Sequence, residues 1–422
     1  MTEETRGSIL LPPWNGMSLP GLTRGAALLR SETVLFRDGA DSARLAGRPP
    51  LELTGQDLDN AVDLMTRKLI LLGLTPGDRI VIMLPNIVEA VVSLLAVMRA
   101  GGVAVALPVF ADLETVTAAT LLGEAAGLVT VAEFAGLRPA ETARAVAAAA
   151  LSMRFVACHG RRAPEGVAAL DALTRADVEG IELPLAPAGT APALITLDLW
   201  QGAPRGLVRS HEQLIAEAAA AAALARITET SRLIGTMAPA SLAGVVHGLA
   251  LPLLTGASTD LVPLFDSAAF ARALGDGAGL TVLLPAAAEA AYRGYCDSRP
   301  AAAEGLVLVH RPEPGGALHL ARPEGAAGRT VDVVCLGEIA MAGFARSDLV
   351  DAPMLPVAPV YPVPGVLAGT ASGLMFQAGA GREVQVCGPL APQVLCLGES
   401  AALAVLPSLT AEPAAPRLVS AA

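Results

Sequence analysis

Lysine is almost missing from this sequence. Of the 29 basic side chains in 422 residues, Lys68 alone is not an arginine. Aromatic residues are scarce at 3%, and no stretch joins clustered positive charge to stacking rings, which excludes a nucleic acid partner. The 40 acidic residues, giving a formal charge of −11, point the same way. Cys158, Cys296, Cys335, Cys387 and Cys396 form an odd, widely spaced set without a CxxC pair, so neither a zinc site nor a disulfide framework is signalled. Buried thiols in a reducing compartment are expected. No apolar segment follows a positive start at Met1 to Arg6, so no secretory signal is read and a cytoplasmic location is expected. Formal charge is absent over 233–259 and 352–381, but Pro239 and Pro252 interrupt the first run and prolines crowd the start of the second. Both are read as soluble core, with no membrane span.

What is there is aliphatic. Hydrophobic residues make up 53% and charged residues 16%, with mean hydropathy +0.55, which excludes a disordered chain. At roughly 150 residues per domain the length suggests about three units. Thr54, followed three residues later by Asp57, opens a helix with Leu58, Ala61, Val62, Met65 and Leu69 on one face. Gly73 and Pro76 stop it. A strand at 80–84, a turn at Pro85-Asn86, an apolar helix ending at Gly101 and a strand at 103–107 follow. The alternation predicts further strands at 154–157, 193–196, 234–237, 281–284, 306–309 and 330–333, with helices capped by Ser210 and Asp266. Near-continuous apolar strands between helices mean parallel sheets covered on both faces. Beyond about residue 345, proline, glycine and short runs such as 383–386 indicate a small β unit and a loose tail.

The segments 53–58, 72–80, Leu84-Pro85-Asn86 and 95–102 (Leu-Ala-Val-Met-Arg-Ala-Gly-Gly) resemble the opening run of the adenylate-forming enzymes. That family includes acyl-CoA synthetases, luciferases and the adenylation domains of peptide synthetases. Residues 251–257 and 361–366 are similar to later family segments, so the resemblance extends over roughly 30–400. It implies an α/β fold, an acyl-CoA synthetase-like large N-terminal domain with two parallel-rich sheets covered by helices and a small β unit. The expected division is a leader with first elements at 1–45, α/β subdomains at 46–190 and 191–340, a β-rich subdomain at 341–405, and a tail at 406–422. The family's mobile C-terminal catalytic domain is expected to be absent.

At the positions that carry the family's chemistry the resemblance fades. Its phosphate loop is rich in Ser, Thr and Gly and ends in Pro-Lys-Gly; here 197–206 reads Leu-Asp-Leu-Trp-Gln-Gly-Ala-Pro-Arg-Gly. Asp198 puts negative charge near phosphate oxygens, and Leu199 and Trp200 add bulk where backbone must approach closely. Gly202, Arg205 and Gly206 remain as candidate nucleotide contacts, with Arg205 pairing with an anion; the alternative is an ordinary surface turn with a solvated arginine. The family's Tyr-Gly-x-Thr-Glu motif matches 334–338, where only the acid survives: Glu338 is the one candidate ligand if Mg²⁺ binds, and Gly337 beside it is a further candidate nucleotide contact. Cys335 has no nearby His to activate it and is expected to be inert. His310-Arg311 replaces the turn that meets adenine, and the ribose-holding Asp motif is not found after Gly388-Pro389. Lys68 is expected to extend to solvent, and His211 to serve the helix start.

The resemblance places an acyl pocket at Met237, Ser241, Val246, His247, Met341 and Phe344, with filled core as the alternative. The expected protein is thus degenerate, without standard adenylation, and binds an acyl or aryl small molecule, a second copy, or a pathway enzyme. The alternative is a residual or split AMP-forming acyl/aryl-CoA ligase with Arg205 and Glu338 as catalytic candidates and ATP or AMP and Mg²⁺ as cofactors. A thiol-based activity rests on Cys335 alone.

Overall fold

The computed structural model describes residues 16–39, 41–160, 162–200, 203–263, 267–274, 279–297, 303–311, 318–321, 329–346, 375–378, 384–387, 392–396, 404–406 and 418–421. Alternation along the strands sorts its core into layers. In Arg79–Met83, Ile80 and Ile82 enter one apolar cluster, while Val81 and Met83 enter another on the opposite face. The second cluster is closed by the helices Leu113–Leu122 and Pro139–Ala149. The first also takes in Leu233, Leu283, Val307 and Val309 from a second sheet, so a shared layer of helices lies between the two sheets. That layer holds Val88–Arg99, in which every residue except Glu89 is buried, as a helix apolar all round requires. The outer face of the second sheet is covered by Ser267–Leu274 and Glu289–Asp297 through Phe270, Leu274 and Tyr292.

The first sheet runs, strand beside strand, Gln393–Cys396, Ala203–Ser210, Pro192–Trp200, Val103–Leu107, Arg79–Met83, Gly127–Val131, Phe155–His159 and Ala168–Ala169. Its pairings are parallel except at the first two. The second runs Ala340–Ala345, Arg329–Leu336, Gly305–His310, Leu280–Pro285, Arg232–Gly235, Ser258–Leu261, Val34–Asp38 and Glu52–Thr54, antiparallel only at its two ends. Met375–Ala378, Val384–Cys387 and Ala404–Leu406 make a small antiparallel sheet. The two large, mainly parallel sheets and the small β unit are the expected fold class.

Local chemistry fixes the helix starts. Thr54 and Asp57 exchange both bonds of a capping box, as do Ser210 and Gln213. The opening motifs prove to be joinery. Asn86 donates to the carbonyls of Gly235 at 2.8 Å and Val262 at 3.2 Å, tying the first sheet's strand ends to the second sheet. Arg99 is buried and donates to Asp59 at 2.6 Å and Asp63 at 2.5 Å, which locks two helices of the shared layer together. Lys68 does not reach solvent. It is 9% exposed, and its Nζ donates to the Leu170 carbonyl at 2.8 Å, because the chain around Leu170 crosses the last turn of Gly55–Leu71. Burial pushes its pKa down, opposed by Asp171 and Asp177.

The charge-free run 233–259 forms strand, helical run and strand inside the core. Among the described residues no helix is long and apolar enough to cross a membrane. Most of 352–381, with Asp266, 361–366 and 388–389, lies outside the described residues.

Candidate functional site

The segment matched to a phosphate loop is a β-hairpin. Pro192–Trp200 pairs antiparallel with Ala203–Ser210, and the register sets Asp198 opposite Arg205. Leu197, Asp198 and Leu199 alternate apolar and polar at a strand's period, and Trp200 favours a strand, where glycines would keep a loop open, so the backbone N–H groups join a ladder. Arg205 is not a solvated surface arginine. It is 3% exposed, and its Nη2 donates to Asp198 Oδ2 at 2.9 Å. Strand Gln393–Cys396 pairs along the hairpin's other edge, with Cys396 opposite Arg205. Gly206 serves packing, since a Cβ there would stand 3.1 Å from Ile195 Cγ2. Gly202 lies outside the described residues.

The second sheet brings its turn to the same place. Gly337, with φ +57°, lies between Arg329–Leu336 and Ala340–Ala345, and a Cβ on it would sit 2.8 Å from Asp198 Oδ2. Glu338 beside it is buried. Its Oε2 accepts from the Leu242 N–H at 2.6 Å, at the N-terminus of the helical run 242–255, and its Oε1 pairs with Arg311 at 2.8 Å. Burial raises the Glu338 pKa, opposed by Arg311, the Leu242 N–H and Arg209. Arg205, Gly337, Glu338 and Asp198 therefore meet where the two sheets join. Glu338 does not suit Mg²⁺, because both oxygens are engaged and a guanidinium stands where a cation would be repelled. Among the described residues no three His, Cys, Asp or Glu side chains gather to hold a metal. Burial pushes Cys335 up to about 12, so it is a thiol at neutral pH.

Two residues of this junction escaped sequence reasoning. Arg209, fully buried, donates through Nη2 to the carbonyls of Glu338 at 2.7 Å and Ile339 at 2.6 Å, holding the Gly337 turn against the hairpin. Glu217 is its charge partner, pushed up to about 7 by burial. The signal was available: Arg205 and Arg209 are four apart on a strand and share a face.

The predicted pocket residues are mostly packed. Val246 and Met341 belong to the core, Met237 packs against it, and Ser241 caps the helical run by accepting from the Gly244 N–H at 3.2 Å. The side chain of Phe344 is outside the described residues. His247 sits in a π-turn, Val246–Ala250, with Nδ1 3.0 Å from the Ala243 carbonyl and burial lowering its pKa to about 4. It lines a cavity of about 10 Å³ with Leu233, Leu251, Leu283 and Val307, room for about one water. His211 packs against the first described helix, its Nδ1 accepting from the Leu19 N–H at 3.4 Å.

Elsewhere, Ser93 Oγ lies 3.1 Å from His159 Nε2, and Asp171 Oδ1 lies 3.6 Å from His159 Nδ1. The order is that of an acyl-transfer triad, but Ser93 is inside a helix and fully buried, so a substrate has no approach to it. A groove of about 1040 Å³ between Gly55–Leu71 and 175–183 is lined by none of the candidate residues.

A sequence profile described as AMP-binding enzyme matches residues 40–186. Over that segment the chain resembles the AMP-binding enzymes. The chain is 29% identical over 303 residues to a salicyl-AMP ligase / salicyl-S-ArCP synthetase of Mycobacterium tuberculosis (strain ATCC 25618 / H37Rv), a match covering 70% of this chain and 51% of the relative. It thus spans about half the length of that curated relative. In structure it resembles apo MbtA of Mycobacterium smegmatis, with TM-score 0.69 and 19% identity over 93% of this chain and 70% of that one. A putative long-chain-fatty-acid CoA ligase from Rhodopseudomonas palustris CGA009 gives 0.67 and 15% over 92% of both chains. At these identities the structural likeness is one of fold. The profile match and the salicyl-AMP ligase relative agree with the resemblance seen in the opening motifs.

Proposed function

We propose that this chain is an acyl/aryl-adenylate-ligase-like protein that has lost standard adenylation and whose remaining role is binding. The Arg205–Asp198 ion pair carries this reading. Wrapping a triphosphate takes bare N–H groups and a cation turned toward the ligand. Here the N–H groups belong to a hairpin ladder and the cation faces a carboxylate 2.9 Å away. A phosphate oxygen brought to about 4 Å from Asp198 meets a repulsion of about 4 kcal/mol at the dielectric typical near a protein surface. Glu338, held by Leu242 and Arg311, supports the same conclusion. The core beside His247, with room for one water, supports a protein partner, either a pathway enzyme or a second copy, over an acyl or aryl acid.

The test is ATP–pyrophosphate exchange with salicylate, other aryl acids and fatty acids. The wild-type chain is expected to stay at background with all of them. Exchange above background that disappears on Glu338→Ala returns the chain to a second reading, a residual or split AMP-forming ligase completed by a separately supplied domain. That reading is supported by the meeting of Arg205, Gly337 and Glu338 and by the ligase relatives.

A further inference from the structure

We propose that the groove between Gly55–Leu71 and residues 175–183 is a two-fold interface, filled by a second copy of this chain. The inference rests on the reading of a binding protein and deepens it by naming the surface and the partner. One wall of the groove, which encloses about 1040 Å³, is a single helix face on which Leu64, Arg67 and Leu71 recur at helical spacing. The other wall is held in place by Arg67, whose Nε donates to the Ile181 carbonyl at 3.0 Å. Leu64, Ile181 and Leu183 are half-buried and make the lining apolar. Exposed leucines continue each wall. Leu71, 46% exposed, lies one turn beyond Arg67, and Leu185, 94% exposed, lies two residues beyond Leu183.

Charge of both signs borders this lining. Arg175, Glu179 and Glu182 are exposed, and among the described residues their side chains make no ion pair or hydrogen bond. Asp63, in the helix wall, is already answered by Arg24 at 3.0 Å and Arg99 at 2.5 Å. An apolar centre with a charged rim is the pattern of a protein interface. The rim also selects the partner. An anionic ligand or surface would meet Glu179 and Glu182, and a cationic one would meet Arg175. A two-fold interface sets each residue of a patch against another residue of the same patch, so it needs both signs on one face. The single turn Ala176–Val178 separates Arg175 from Glu179. A two-fold axis through the groove therefore sets Arg175 of each copy against Glu179 and Glu182 of the other.

The test is sedimentation of the full chain from about 1 to 100 µM, beside Arg175→Glu and Glu179→Arg/Glu182→Arg. Wild type is expected to dimerise within that range. Each reversed chain is expected to do so at least about tenfold more weakly, because like charges then face each other. An equimolar mixture of the two reversed chains is expected to regain the wild-type dimer, since every reversed residue then meets its opposite. A wild-type chain that stays monomeric throughout overturns the proposal. So do reversed chains that dimerise as tightly as wild type, and so does a mixture that stays monomeric. Hydrogen exchange on the wild type alone covers the case in which a reversed chain fails to fold. Amides of 175–183 are expected to exchange more slowly as concentration rises, and exchange independent of concentration overturns the proposal. ATP–pyrophosphate exchange by the wild type defeats the functional reading instead, so the two failures are distinguishable.

Discussion

Gly337 concentrates two constraints in one residue. Its φ of +57° disfavours any side chain, and a Cβ would press on the Asp198 carboxylate. Gly337→Ala is therefore expected to destabilise the fold by roughly 1–3 kcal/mol, read as a lower denaturation midpoint. The causes separate in a double-mutant cycle, because Asp198→Ser removes the contact and leaves the backbone strain. A smaller cost in that background is the expected result, and equal costs would mean that the carboxylate plays no part. The same economy of side chains explains Arg209. One guanidinium satisfies two carbonyls of the Gly337 turn and so does for the junction what a loop ligand does in other sites.

At the scale of elements, local signals were readable wherever they act within a few residues. Thr54 with Asp57, and Ser210 as a cap, announce helix starts, and the apolar runs announce strands because both sheet faces are covered. Three features were hidden for different physical reasons. The hairpin at 192–210 was masked by its likeness to a loop, although Leu197 and Leu199 alternate with Asp198 at a strand's period and Trp200 favours a strand. The π-turn at Val246–Ala250 inserts one residue into a helical run, a change that a period of 3.6 does not register. Lys68 lies on a readable helix, but what covers it is a segment a hundred residues away. The candidate site was legible as residue types, namely Arg205, Gly337 and Glu338. Its state was not, since burial and pairing depend on the register with Asp198 and on the approach of the second sheet.

For the whole molecule, buried titratable groups pull in opposite directions with pH. Glu217 is raised from 4.5 to about 7, so its contribution to stability is full below 4.5 and lost as pH rises through about 7. His211 and His247 are lowered from 6.5 to about 4, so theirs is full above 6.5 and lost as pH falls through about 4. Between 4.5 and 6.5 the slopes oppose each other, His211 and His247 against Glu217, with the raised Glu338 on the side of Glu217. Denaturant midpoints measured across that window are expected to rise more steeply with pH in Glu217→Gln than in wild type, and less steeply in His247→Gln. An unchanged slope in Glu217→Gln would show that this carboxyl titrates alike folded and unfolded. The burial of Lys68 gives the molecule a further property. A lysine-specific protease has a single peptide bond to cut in the entire sequence, and it follows a side chain tied down inside the fold. The native chain is expected to survive such a protease, and cleavage into two pieces becomes a clock for the lifting of the segment around Leu170 from the first helical layer.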